Sequence, residues 1–181
     1  MATSNKSVKY IALFTVIAGV IMIIAGGLTW ALVSSQLKDE AITVSAVTAE
    51  NPGRYVGKQV AGPFTAYAQA NAIQHHALAG ANDRTYAEIG ADLTALKDKL
   101  KAAGASDADI ADNAEVKALT ATRTSTMNGT FLRTSLFTSV VSFGVAALVI
   151  GLGVIFILLG YALMKVSNTM VAVPESVPAK E

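Results

Sequence analysis

The chain is 181 residues long, with 52% hydrophobic and only 15% charged residues, where an ordinary soluble domain carries about a quarter charged. Fourteen Lys and Arg against thirteen Asp and Glu leave a formal charge of +1, which excludes a phosphate-binding basic surface of the kind nucleic acid requires. The absence of cysteine excludes disulfides, thiolate metal sites and a Cys nucleophile, and two histidines leave little for metal or general-base chemistry.

From Tyr10 to Leu37 there is no charged residue and no proline, and the same holds from Thr134 to Met164. A bilayer core needs about 20 apolar residues, so both segments read as transmembrane helices. The first is too long for the apolar region of a signal peptide. Lys6, Lys9 and Lys165 flank the spans on the tail side, against Lys38 and Arg133 on the other. The positive-inside rule then places both termini in the cytoplasm. Tyr10 and Tyr161 are expected as anchors at the inner interface, and Trp30 with Phe131 or Phe137 at the outer one.

Between the spans, Ile42-Thr43-Val44-Ser45-Ala46-Val47 alternates as a strand does. Asn51-Pro52-Gly53 reads as a turn, and Tyr55 to Val60 as the partner strand. After Gly62-Pro63 a helix is expected from about Thr65 to Leu78, with Ala66, Ala70, Ile73 and Ala77 on one face. Thr85-Tyr86-Ala87-Glu88 is a capping box that opens a second helix. Its stripe is Tyr86, Ile89, Leu93, Leu96 and Leu100, and Gly104 ends it. Ser106 caps a short third helix. From Ala114 a helical pattern leads toward the second span, interrupted in appearance by the Thr-rich stretch 120–126 and by Gly129. Only 17 of the 96 residues from Lys38 to Arg133 are Leu, Ile, Val or Phe, so this domain is expected to draw on lipid, on further copies or on a partner for support.

Candidate sites are few. His75 and His76 are adjacent, and successive helical residues point about 100° apart, so a shared metal would need a carboxylate such as Glu88 or Asp92. Asp107, Asp109, Asp112 and Glu115 fail the calcium-loop spacing, because the twelfth position is Ala118, and they read as helix-capping groups. Asn128-Gly129-Thr130 is formally a glycosylation acceptor close to the second span. Within the spans, Ala12, Thr15, Gly19, Gly26 and Thr29 share a face at near-heptad spacing. Gly144 and Gly151 are seven apart, as are Gly153 and Gly160, and Ala147 with Gly151 forms a small-xxx-small step. Small residues let helices approach closely in lipid, so these positions are read as helix-packing. Ser135, Thr138, Ser139 and Ser142 form a hydroxyl strip, read as an interhelical polar contact or a pore lining.

Several runs resemble a family of small actinobacterial membrane proteins with two transmembrane helices. They are Gly62-Pro63-Phe64-Thr65-Ala66-Tyr67-Ala68-Gln69-Ala70, Thr85-Tyr86-Ala87-Glu88, Phe131 to Ser139, and Phe143-Gly144-Val145-Ala146-Ala147. Members often carry an aromatic ring-opening dioxygenase label, which implies a metal and a catalytic histidine set. This sequence offers only His75-His76, so the label is read as mis-transferred, and the resemblance implies an actinobacterial plasma-membrane protein.

The expected architecture is a membrane α-helical hairpin of two transmembrane helices with a small α+β extracytoplasmic domain between them. Its parts are residues 1–9 (cytoplasmic tail), 10–37 (first span), 38–133 (extracytoplasmic domain), 134–164 (second span) and 165–181 (cytoplasmic tail). The expected function is a non-enzymatic scaffold or accessory subunit that self-associates or joins an envelope or respiratory complex. A homo-oligomeric pore lined by the hydroxyl strip is the alternative, and a metal-dependent oxygenase at His75 or His76 ranks last. No catalytic, cofactor or metal residue is assigned. The expected partners are the lipid bilayer, further copies or membrane-complex subunits, and no nucleic acid.

Overall fold

A computed structural model describes residues 3–169; the expected C-terminal tail beyond them, with Lys180, lies outside the described residues. The described residues contain five helices: α1 (Thr3–Asp39), α2 (Pro63–Ala79), α3 (Tyr86–Ala102), α4 (Asp107–Asp112) and α5 (Ala114–Thr169). They fall into two compact units. One takes the described residues up to Val33 and from Ser142 onward, the other residues 34–141.

The first unit is the apolar one. Both α1 and α5 contain stretches long and apolar enough to cross a membrane, with mean hydropathy of 2.6 and 2.7. Only 17% of each stretch is buried within the chain. The core helix of a soluble globule buries most of such a stretch, so this exposed surface suits lipid.

The expected α+β domain is not what residues 34–141 form: among the described residues there is no strand, and the domain is helical. The two strand-like runs meet at a single antiparallel bridge, Thr43 to Gln59. Its hydrogen bonds are Val44 N–H to the Lys58 carbonyl, Gly57 N–H to Val44 and Val60 N–H to Ile42. The second run cannot extend, because Gly57 turns at φ +73°. A two-stranded pair is marginal in any case. The first run finds a different partner, as Ser45 N–H donates to Oε1 of the buried Gln69 on α2 at 2.8 Å. Alternation thus marked a half-buried extended segment, with one side chain of α2 standing in for a neighbouring strand.

The helices obey their local signals. Pro63 occupies the first turn of α2, where its missing N–H costs nothing. Thr65 Oγ1 accepts from the Ala61 and Gly62 amides at 3.1 and 3.2 Å. On α3, Thr85 N–H and Oγ1 both donate to Glu88 Oε2 at 2.7 Å. Ser106 and Asp109 repeat the arrangement on α4. After α3 the chain turns at Gly104 with φ +87°, and Ala105 N–H closes back on the Leu100 carbonyl. A small core of Leu93, Ile110 and Val116, with Leu96, Leu100, Ala105 and Leu119 packed on it, joins the stripe of α3 to α4 and the start of α5.

The Thr-rich stretch does not interrupt α5. Thr120, Thr122, Thr124, Thr126 and Thr130 each donate their hydroxyl to the carbonyl four residues earlier, at 2.7–3.0 Å. This back-bonding is the arrangement hydroxyl residues adopt within a helix, and α5 runs unbroken through them.

Two tests follow. The Thr85 amide and then its hydroxyl hold the Glu88 carboxyl below the usual carboxylate range. The Ser106 hydroxyl and then its amide do the same for Asp109. A depressed folded value means that the stabilisation is present above the ordinary carboxylate range and is lost as pH falls through the folded value. Protection of the first-turn amides of α3, corrected for intrinsic exchange, is therefore expected to fall on acidification, and Glu88→Gln to remove most of that change. At the exit of α1, Ala41 holds φ +52°, left-handed backbone that costs an L-residue about 1–2 kcal/mol. Ala41→Gly is expected to raise stability by up to about 1 kcal/mol in a chemical denaturation series.

Candidate functional site

The most sharply defined geometry in the molecule is the seam between α1 and α5 in the first unit. Ala12, Gly19 and Gly26 are seven apart on α1, and Ala146, Gly153 and Gly160 are seven apart on α5. They face one another antiparallel. A Cβ added at Gly19 would fall 2.6 Å from the Gly153 carbonyl oxygen, and one at Gly153 would fall 2.7 Å from that of Gly19. A Cβ at Gly26 would meet the Ala146 oxygen at 2.9 Å, and one at Gly160 the Ala12 oxygen at 2.8 Å. Ala12 and Ala146 are buried. Between the small positions stand Val16 and Ile23 on α1, and Ile150 and Ile157 on α5, close enough to touch any added methyl. Trp30 extends the same series, its ring meeting Phe143 at 4.8 Å. Each helix thus alternates small and large residues at steps of four and three, the spacing of a coiled-coil seam.

This divides the helix-packing positions named from sequence. Ala12, Gly19, Gly26, Gly153 and Gly160 form the seam. Gly144 and Gly151 meet nothing within 4 Å of an added Cβ, and Ala147 is exposed. Ala146, one residue away, takes the seam position instead. The mirrored four-three alternation, with Ile150 and Ile157 beside their glycines, is the signal that separates the two glycine pairs of α5.

Two of the four hydroxyls in the strip bond within their own helix. Thr138 Oγ1 donates to the Thr134 carbonyl at 3.0 Å and Ser139 Oγ to that of Ser135 at 3.3 Å. Ser135 is exposed beside an apolar cavity of about 420 Å³ that Leu37, Ile73, Leu132 and Leu136 also line; Ser142 is half-buried. Of the expected anchors, Tyr10 and Tyr161 are exposed, and Lys165 lies over the Tyr161 ring at 5.5 Å. Trp30 belongs to the seam as well as to its span end. Phe137 is half-buried, meets the Tyr67 ring edge-on at 5.7 Å and takes the Arg133 guanidinium over its face at 5.1 Å.

In the second unit a cavity of about 150 Å³ lies among α2, the start of α3 and α5, bordered by Gln74, Tyr86, Thr126, Gly129, Thr130 and Arg133. Gly129 marks the close crossing of α2 and α5, since a Cβ there would fall 2.9 Å from that of Ala77. Arg133 Nε is buried without a hydrogen-bond partner, as is Arg123 Nε. Arg123 instead stacks on Tyr86, 4.2 Å from the ring centroid, and lies flat across Gly90, where a Cβ would meet its Nε at 3.2 Å. Sequence periodicity does not reveal either arginine's seat, because each depends on a crossing between helices.

His75 and His76 are both exposed, with ring centroids 6.1 Å apart and planes at 77°. Among the described residues no three His, Asp or Glu side chains lie together as a metal set would. The acidic run is used in pairs: Asp107 with Lys101 at 3.4 Å, Asp112 with Lys117 at 2.8 Å, and Asp109 in its capping box.

The seam predicts a sharp asymmetry. Gly19→Leu or Gly153→Leu forces the helix backbones apart and is expected to cost about 1–3 kcal/mol or more, read as thermal unfolding in detergent. Gly151→Leu, which meets open space, is expected to leave that transition within about 0.5 kcal/mol of the parent. No protein-family model, curated protein or solved structure matches this chain.

Proposed function

We propose that this chain is an integral membrane protein without catalysis of its own, a two-span scaffold or accessory subunit that self-associates or joins a larger envelope or respiratory complex. One observation carries the reading. The two apolar helices pack one small-residue face of each into a seam, yet leave most of their surface uncovered, with only 17% of each apolar stretch buried. Lipid takes most of that surface. The open strip of Gly144, Ala147 and Gly151 offers a further helix a close approach. Both termini are taken as cytoplasmic from the flanking lysines. The runs that resemble small actinobacterial membrane proteins favour the plasma membrane of such a cell. A pore draws less support, since Thr138 and Ser139 direct their hydroxyls to their own helix.

The test is the native mass after gentle extraction from the membrane, with co-purifying proteins identified. A species of several times 18.7 kDa, or one containing other membrane proteins, is expected, and Gly151→Leu should lower that mass without unfolding the chain. A lone chain that carries no companion overturns the reading.

A further inference from the structure

The bridge segment and the start of α2 form an edge whose chemistry differs from the rest of residues 34–141. Phe64 and Tyr67 are 71% and 50% exposed, one helical turn apart. Beside them Arg54 and Lys58 both lie over the Tyr55 ring, at 5.7 and 5.8 Å. An apolar groove of about 270 Å³ runs between, lined by Val44, Val47, Pro52, Tyr55, Phe64 and Tyr67. Over residues 42–67 the two cations face one carboxylate, Glu50. Large exposed rings next to stacked cations make an amphipathic edge, apolar within and positive at the rim.

Two contacts within residues 34–141 tie this edge to the ends of the uncharged runs. Ser34 Oγ donates to the Ala61 carbonyl at 2.7 Å, which ties the entry to α2 to a residue three positions before Leu37, where the uncharged run of α1 ends. The Tyr67 ring meets Phe137, three positions after Thr134, where the uncharged run of α5 begins. Both contacts lie within one turn of a span end. The ends of uncharged runs this long reach headgroup level in a bilayer, where aromatic rings concentrate and basic side chains reach phosphate.

We infer that this edge is a lipid-binding surface, in which Phe64 and Tyr67 rest at the acyl boundary while Arg54 and Lys58 hold the phosphate of an anionic phospholipid whose chain enters the groove. The inference rests on the membrane reading proposed above. Lipid is the occupant because the edge is bonded to Ser34 and packed on Phe137, beside the ends of the two uncharged runs, and because the rim carries the complementary charge.

The full chain is reconstituted in phosphatidylcholine vesicles with and without phosphatidylglycerol, using lipids brominated near the headgroup end of the acyl chain. Trp30 is the only tryptophan, so the parent reports the span. The Trp30→Phe/Phe64→Trp double variant reports the edge, and Trp30→Phe/Val56→Trp does so independently. Because Phe64 and Val56 are exposed, neither substitution there opens a cavity. Quenching of the edge indole by about two-fold or more is expected, as for an aromatic seated at the interface. Phosphatidylglycerol retained in native mass spectrometry should fall by about five-fold for each of Arg54→Ala and Lys58→Ala, the worth of one cation at an anionic surface. Quenching of Trp30 with both edge indoles unquenched overturns the inference and leaves the membrane reading standing. If Trp30 is unquenched too, the membrane reading falls with it. Unchanged phosphatidylglycerol retention in both alanine variants overturns the role of the cations.

Discussion

The closeness of two backbones governs the apolar part of this molecule. In hydrocarbon there is little hydrophobic drive between helices, so what holds a pair together is contact area at short range. Gly19 against Gly153 provides it, each carbonyl standing where the other residue's Cβ would be. That approach dictates the register, with Gly26 beside Ala146 and Gly160 beside Ala12. It also dictates the large residues between, because Val16, Ile23, Ile150 and Ile157 must fill the flanks that glycine leaves empty. β-branched side chains suit this, since their restricted rotamers lose little entropy on packing in a helix. The outward glycines are released from this duty, so α5 carries two glycine faces with different roles.

Residues 34–141 rest on a different principle. Their apolar supply is thin, and they compensate with polar side chains used as structural struts. Gln69 holds the extended segment in place of a strand. Arg123 and Arg133 bury part of their guanidinium groups against aromatic rings instead of pairing them with carboxylates. Cation–π contacts of this kind gain strength when desolvated, and they spare the unit buried counter-charges.

Much of this architecture was legible in the sequence, and the failures have physical reasons. The two apolar helices and the boxes at Thr85 and Ser106 follow from local signals, namely uncharged length and side chains that reach their own backbone. The strand pair failed because alternation reports burial on one side and says nothing about what satisfies the backbone; a glutamine 24 residues away did so. The breadth of the small-residue faces was visible, but the choice between Gly144/Gly151 and Gly153/Gly160 lay in their neighbours. Only the second pair is interleaved with isoleucines at the spacing that answers Val16 and Ile23. Doubt over the Thr-rich stretch came from composition, and it dissolves once each hydroxyl is seen to have an acceptor one turn back.

The same back-bonding recurs at Thr138 and Ser139, where it bears on hydrophobic mismatch. The uncharged run 134–164 is 31 residues, about 46 Å of helix, against a hydrocarbon core of about 30 Å. Near its start, Thr138 and Ser139 donate to the carbonyls of Thr134 and Ser135. A turn of helix bearing satisfied hydroxyls is tolerable among headgroups and among acyl chains alike. In the membrane reading, α5 therefore suits bilayers of differing thickness without a steep tilt, because the turn bearing Thr138 and Ser139 can be drawn in or left out with both hydroxyls still bonded.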